Sequence, residues 1–302
     1  MSGRSLPSER ALLFGKPLPL VGVLTEPPEV PGPNGLPAAI ILNAGMLHRV
    51  GPNRLHVKAA RRLARDGFTA LRFDFSGIGD SPARESDLPL ERRRVDEVGE
   101  AMDFLSSSGK AEKFVLLGIC SGADAAFDTA CHDDRVVGAA LINGFHLHHR
   151  APEELIDLAK EGVRDRYYRR SLLSRDSWRR FLSGKSDYRA VGRFVRGQVG
   201  RGKGSDAQVA PEAGTESEWR SLVERPVDSL LVYSEGSLAL DTYRLTLERT
   251  VPELSSTGRL AVEVIRKTDH VFTLLWSQDH LVNLICEWAL AEERTWISWG
   301  ER

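Results

Sequence analysis

The segment Lys113-Phe-Val-Leu-Leu-Gly-Ile-Cys-Ser-Gly-Ala-Asp124 runs an apolar strand through a turn into an alanine-rich stretch. A strand–turn–helix corner of this kind can present one side chain as an exposed nucleophile. Its strained backbone demands small residues two before and two after the apex. With Cys120 at the apex those positions are Gly118 and Gly122; with Ser121 they would be Ile119 and Ala123, and the isoleucine would clash. The register selects Cys120. A thiol suits the place, because sulfur is intrinsically nucleophilic and a helix N-terminus with a nearby imidazole favours the thiolate. Cys131 and Cys286 sit within helical stretches and read as small apolar core residues.

A nucleophile at such a corner needs a base, an orienting group for the base, and donors for an oxyanion. His270, in Lys267-Thr-Asp-His-Val-Phe272, falls between the last apolar strand and the last helical stretch, where the base of this arrangement belongs. After the strand Leu230-Leu-Val-Tyr233 comes Ser-Glu-Gly-Ser-Leu-Ala-Leu-Asp241. The usual aspartate would fall at Ser237, which cannot balance an imidazolium. Asp241, one helical turn further, is the preferred acid and Glu235 the alternative; a Cys–His dyad with both acids at the surface is a third arrangement. Ala38-Ala-Ile-Ile-Leu-Asn-Ala-Gly-Met46 is a strand ending in a glycine turn, and the backbone amides of Met46 and Ser121 are the expected oxyanion donors. Asp74 and Gly77, in Arg72-Phe-Asp-Phe-Ser-Gly-Ile-Gly-Asp-Ser81, are expected to fix a neighbouring loop, and His48 and Arg49 lie close enough in sequence to the oxyanion strand to reach the pocket.

These residues need a sheet to hold them. Apolar runs at Ala38–Leu42, Thr69–Phe73, Phe114–Leu117, Val136–Ile142, Ser229–Tyr233 and Ala261–Ile265 read as strands, preceded by a hairpin around Leu12–Thr25. Between them Arg54–Arg65, Leu90–Ser106, Gly122–Cys131, Asp241–Thr250 and Phe272–Ala291 read as helices. The alternation predicts an α/β architecture with a mostly parallel central sheet flanked by helices. The rhythm breaks over residues 145–225, expected to be a helical cap inserted into a core formed by residues 1–144 and 226–302. Within it, the glycine- and small-residue-rich stretch near 197–217 reads as a flexible loop.

The chain has 302 residues and a net charge of −1, so nothing global points to nucleic acid. The charge is nevertheless segregated: Arg150–Lys203 holds 15 Lys and Arg against 7 Asp and Glu. Three widely spaced cysteines fit a reduced compartment rather than a disulfide framework. The opening twenty residues lack a signal-peptide core, and no apolar run reaches the roughly 18 residues of a membrane span. A cytoplasmic location is expected. No metal cluster and no phosphate-binding glycine loop is present in the sequence, so no cofactor is implied.

Asn43-Ala-Gly-Met-Leu-His-Arg-Val-Gly-Pro52, Leu71-Arg-Phe-Asp-Phe-Ser-Gly-Ile-Gly-Asp-Ser81, Gly118-Ile-Cys-Ser-Gly-Ala-Asp124 and Asp269-His270, with Ser177-Trp-Arg-Arg-Phe-Leu-Ser-Gly-Lys185, together resemble the α/β-hydrolase superfamily. The likeness spans most of the chain and points to the serine-aminopeptidase-like group that includes the exosortase-A-associated hydrolases, here with cysteine in the nucleophile elbow. The resemblance implies an esterase, thioesterase or acyltransferase acting on a small-molecule acyl ester or thioester, of a kind that serves polysaccharide or specialised-metabolite pathways. Coenzyme A or an acyl carrier protein would suit both the thiol and the basic stretch, being anionic thioester donors. Two other classes fit the same residues: a lyase that expels an acyl group as carboxylate, and a non-catalytic binding or scaffold protein.

Overall fold

The computed structural model describes residues 6–28, 36–144, 213–248 and 258–291. Eight strands form one sheet: β1 (Ser8–Phe14), β2 (Leu20–Glu26), β3 (Ala38–Leu42), β4 (Ala70–Phe73), β5 (Phe114–Ile119), β6 (Val136–Ile142), β7 (Asp228–Ser234) and β8 (Leu260–Ile265). Their spatial order is β1-β2-β4-β3-β5-β6-β7-β8. β2 runs antiparallel to both β1 and β4, while every pairing from β4 to β8 is parallel. The hairpin and the parallel run are those expected from the sequence.

The described helices are α1 (Leu55–Arg65), α2 (Leu90–Ser107), α3 (Ser121–His132), α4 (Ala213–Glu224), α5 (Leu238–Thr246) and α6 (Leu275–Leu290). Strands β3, β4 and β5 are buried along their whole length, because helices cover both faces of a parallel sheet. Alternate residues then feed opposite cores. Ile40, Leu42, Phe114 and Leu116 pack with Val98, Met102, Phe127 and Tyr243 from α2, α3 and α5. Ala39, Ile41, Val115 and Leu117 pack with Leu63, Leu281 and Ile285 from α1 and α6. Each buried Leu, Ile or Phe contributes roughly 1.5–3 kcal/mol of transfer free energy, which makes these two layers the main source of stability.

Of the expected helical cap, residues 145–212 lie outside the described residues. From Ala213 the chain is α4, so the last turns of the stretch assigned to the cap, and the end of the loop expected near 197–217, are helical. Trp219, Leu222 and Val223 recur at helical spacing and are buried in the core, with the Trp219 ring 4.7 Å from that of Phe127 on α3. This helix is part of the layer that flanks the sheet.

Candidate active site

The C-terminal ends of β3, β5, β6, β7 and β8 carry the candidate residues, as parallel α/β sheets place their sites. Cys120 joins β5 to α3 with φ 58° and ψ −126°. Such a conformation costs a non-glycine residue of order 1–3 kcal/mol and persists only where the surroundings over-determine it. Here they do. Cys120 N–H donates to Ile142 O (2.9 Å), and Cys120 O accepts from Ala123 N–H (2.9 Å) and Asp124 N–H (3.3 Å). A Cβ on Gly118 would lie 2.1 Å from the Gly122 carbonyl group, and one on Gly122 would lie 2.5 Å from Asn43 O. Both glycines are demanded by backbone approaching backbone, with residue 120 at the apex and Ser121 already helical.

The Cys120 thiol is half-buried. Burial pushes its pKa above the ordinary thiol value; the nearby Asp124 adds to this, while the Ser121 N–H and the Arg94 charge pull the other way. It rests as a thiol at neutral pH. His270 is also half-buried, and burial holds its imidazole below the usual histidine value, opposed by the adjacent Asp269. It rests neutral, the state in which it can accept a proton.

The group on His270 Nδ1 is Ser237, whose Oγ lies 3.0 Å away. Ser237 is buried and caps α5, its Oγ accepting Ala239 N–H at 3.2 Å. That hydroxyl can still accept Nδ1–H, leaving Nε2 free as a base. Asp241 is buried one turn further along α5. Glu235 is exposed, and its Oε2 accepts Lys267 N–H (2.7 Å), bracing the turn that leads to His270. Ser237 thus stands beside Nδ1, at the position where the usual aspartate would fall.

The loop expected to supply an oxyanion donor follows β3. Its Gly45 N–H donates to Ser121 Oγ at 3.0 Å, so the amide directed at the elbow is one residue before Met46, whose side chain is 78% exposed. The Ser121 N–H is near enough to the Cys120 thiol to favour its ionised form. The loop is pinned by fully buried Asp74, which accepts from Asn43 Nδ2 (3.2 Å), Asp80 N–H (3.1 Å), and the backbone and side chain of Arg49. Arg49 therefore pairs with Asp74 and Asp80 and not with the pocket, and His48 is exposed.

One residue was not signalled by the sequence. Asn143, buried with φ 48°, ends β6; its Nδ2 donates to His270 O (2.9 Å) and its Oδ1 accepts Ser234 N–H (2.8 Å). Its neighbour Ile142 receives the Cys120 N–H, so the tip of β6 ties Cys120 and His270 to one point. An asparagine after a strand is an ordinary turn residue, and only its left-handed conformation marks it. Among the described residues no cluster of three or more His, Cys, Asp or Glu could hold a metal, and no helix is long and apolar enough to cross a membrane.

Neither a protein-family model nor a curated protein matches the sequence. Solved structures do match. A proline iminopeptidase from Mycobacterium smegmatis superposes with a TM-score of 0.53 at 17% identity, over 93% of this chain and 97% of that one. A serine hydrolase homologue from Coxiella burnetii gives 0.52 at 14% identity, over 92% and 96%. The esterase Pf2001 from Pyrococcus furiosus gives 0.52 at 13%, over 93% and 92%. At these identities the likeness concerns architecture, and the architecture is the α/β-hydrolase fold.

Proposed function

We propose that this α/β-hydrolase-fold protein transfers acyl groups through Cys120, as a hydrolase or acyltransferase of esters or thioesters. The observation that carries this reading is a thiol held at a strained apex with backbone amides beside it and a neutral, hydrogen-bonded imidazole tethered to the same strand tip. His270 Nε2 takes the Cys120 proton as Sγ attacks the acyl carbonyl, so proton transfer accompanies attack and no pre-formed thiolate is needed. The tetrahedral oxyanion is met by Ser121 N–H and an amide of the Gly45–Met46 turn, once the Ser121 hydroxyl turns away from Gly45. Collapse returns the proton from His270 to the leaving alkoxide or thiolate and leaves an S-acyl enzyme. Water, or an alcohol or amine acceptor deprotonated by His270, then releases it. Ser237 can accept Nδ1–H without supplying a countercharge, which suits an imidazole that is positively charged only transiently.

Thioester donors fit best, since exchange between two thiols is nearly neutral in energy, and the basic stretch Arg150–Lys203 would favour coenzyme A or an acyl carrier protein. The hydrolase names of the structural neighbours agree with the reaction class. The raised pKa of the half-buried Cys120 thiol, beside an imidazole that burial holds neutral, favours one second reading, a lyase in which His270 removes a substrate proton and a carboxylate leaves, with Cys120 a bystander.

Intact-mass analysis after incubation with a panel of acyl thioesters separates the two. Acyl-enzyme chemistry gives an acyl-sized increase that is absent in Cys120→Ala. Turnover undiminished in Cys120→Ala but lost in His270→Ala would overturn the covalent route in favour of the lyase.

A further inference from the structure

The second turn of α2 carries Arg94, whose guanidinium lies over the Phe75 ring, 5.7 Å from its centroid. The side chain is half-buried, and its Nε is buried with no hydrogen-bond partner. Among the described residues no carboxylate forms an ion pair with it, although Glu91 and Asp124 are near enough for their charges to bear on it. Its position relative to the elbow follows from Phe75. The Phe75 N–H donates to Asn43 Oδ1 (2.8 Å), Asn43 opens the oxyanion loop, and Gly45 of that loop meets Ser121. The run from Arg94 through Phe75 and Asn43 thus ends at the residue beside the nucleophile. The Arg94 charge accordingly reaches the Cys120 thiol and eases its ionisation.

A half-buried guanidinium whose Nε is cut off from water without a partner carries a desolvation cost, and a carboxylate arriving with the substrate would offset that through charge-assisted, two-pronged hydrogen bonds. Monoanionic charge fits better than a phosphate dianion, because buried Asp124 stands close to the same thiol and repels each added negative charge. We infer that Arg94 is a specificity-determining residue that receives a carboxylate on the acyl part of the substrate, next to the carbonyl presented to Cys120. The inference rests on the acyl-transfer reading for what that substrate is, but the anion site itself does not need turnover to be seen.

Iodoacetate and iodoacetamide alkylate thiols by the same displacement of iodide and differ chiefly in charge. Their rates at Cys120, followed by peptide mass mapping with Cys131 as the reference thiol, read the site directly. The iodoacetate-to-iodoacetamide ratio at Cys120 is expected to exceed that at Cys131 by about tenfold. Arg94→Gln should bring it to the Cys131 value, and Arg94→Lys, which keeps the charge, should retain most of it. Equal ratios at the two cysteines in the wild type, or a Cys120 ratio unmoved by Arg94→Gln in folded protein, would overturn the site. Glutaryl and pentanoyl thioesters of N-acetylcysteamine, which share a neutral leaving group, supply the second arm. Faster Cys120 acylation by the glutaryl ester supports the inference. A charge preference in alkylation with no acyl adduct from either ester keeps the anion site and sinks the acyl-transfer reading; equal acylation by both keeps that reading and sinks the assignment of the carboxylate.

Discussion

Ser237→Asp places a carboxylate where the fold ordinarily carries one and tests whether Ser237 sits on His270 in solution. Ser237 Oγ is 3.0 Å from Nδ1 and 1% exposed, so the new charge would be close and poorly screened. Opposite unit charges about 4 Å apart at an effective dielectric of about 20 attract by about 4 kcal/mol, the equivalent of about three pK units. Burying the carboxylate takes back part of that, leaving a net rise of about one to two units in the His270 pKa. Aspartate caps helices as well as serine does, so α5 should keep its first turn. NMR titration of the imidazole reads the shift, and the acid limb of the pH–rate profile should move up with it, since the base works only when neutral. Burial now holds His270 below the ordinary value, which on the proposed mechanism extends activity toward lower pH; the variant would give up that range. A folded Ser237→Asp protein whose His270 midpoint stays put or falls would refute the contact.

Two further outcomes follow from packing and burial. Gly122→Ala puts a methyl group 2.5 Å from Asn43 O, where only backbone can yield, so it should lose about 1–3 kcal/mol in urea denaturation and slow Cys120 alkylation; wild-type values for both would contradict the elbow geometry. His56 is fully buried and its pKa is lowered from 6.5 to about 4, so the unfolded chain binds a proton that the native state refuses. Stability is complete above pH 6.5, falls by about 3 kcal/mol as pH drops toward 4, and His56→Leu should flatten that portion of the curve by the same amount.

Much of the frame was legible because it is written in features with one physical cause each. The strands around Ala38, Phe114 and Val136 are apolar runs, and a parallel sheet covered on both faces needs such runs. The elbow register could be read from Gly118 and Gly122 because nothing larger fits between those backbones. Ser237 was legible as a position but not as a partner: its type argued against ion pairing, and only its distance to Nδ1 shows it orienting the ring. The contact of the Gly45 N–H with Ser121 was not legible, because amide direction depends on loop dihedrals that side-chain types do not encode. Arg94 was hidden in Glu91-Arg-Arg-Arg94, which reads as the solvated start of a helix, and Asn143 in an ordinary strand end. Contacts between distant loops are set by the whole sheet, and local sequence carries little of them.

The elbow places its backbone-to-backbone steric demands on residues 118 and 122 and on the carbonyls around them, while the side chain at 120 is only half-buried. Exchange of sulfur for oxygen at that apex would alter nucleophilicity, leaving-group ability and acyl-bond energy while the chain path stayed the same. On the acyl chemistry proposed for Cys120, reaction class and foldability are separable traits: one codon retunes the chemistry, whereas change at either flanking glycine weakens the scaffold and the chemistry together.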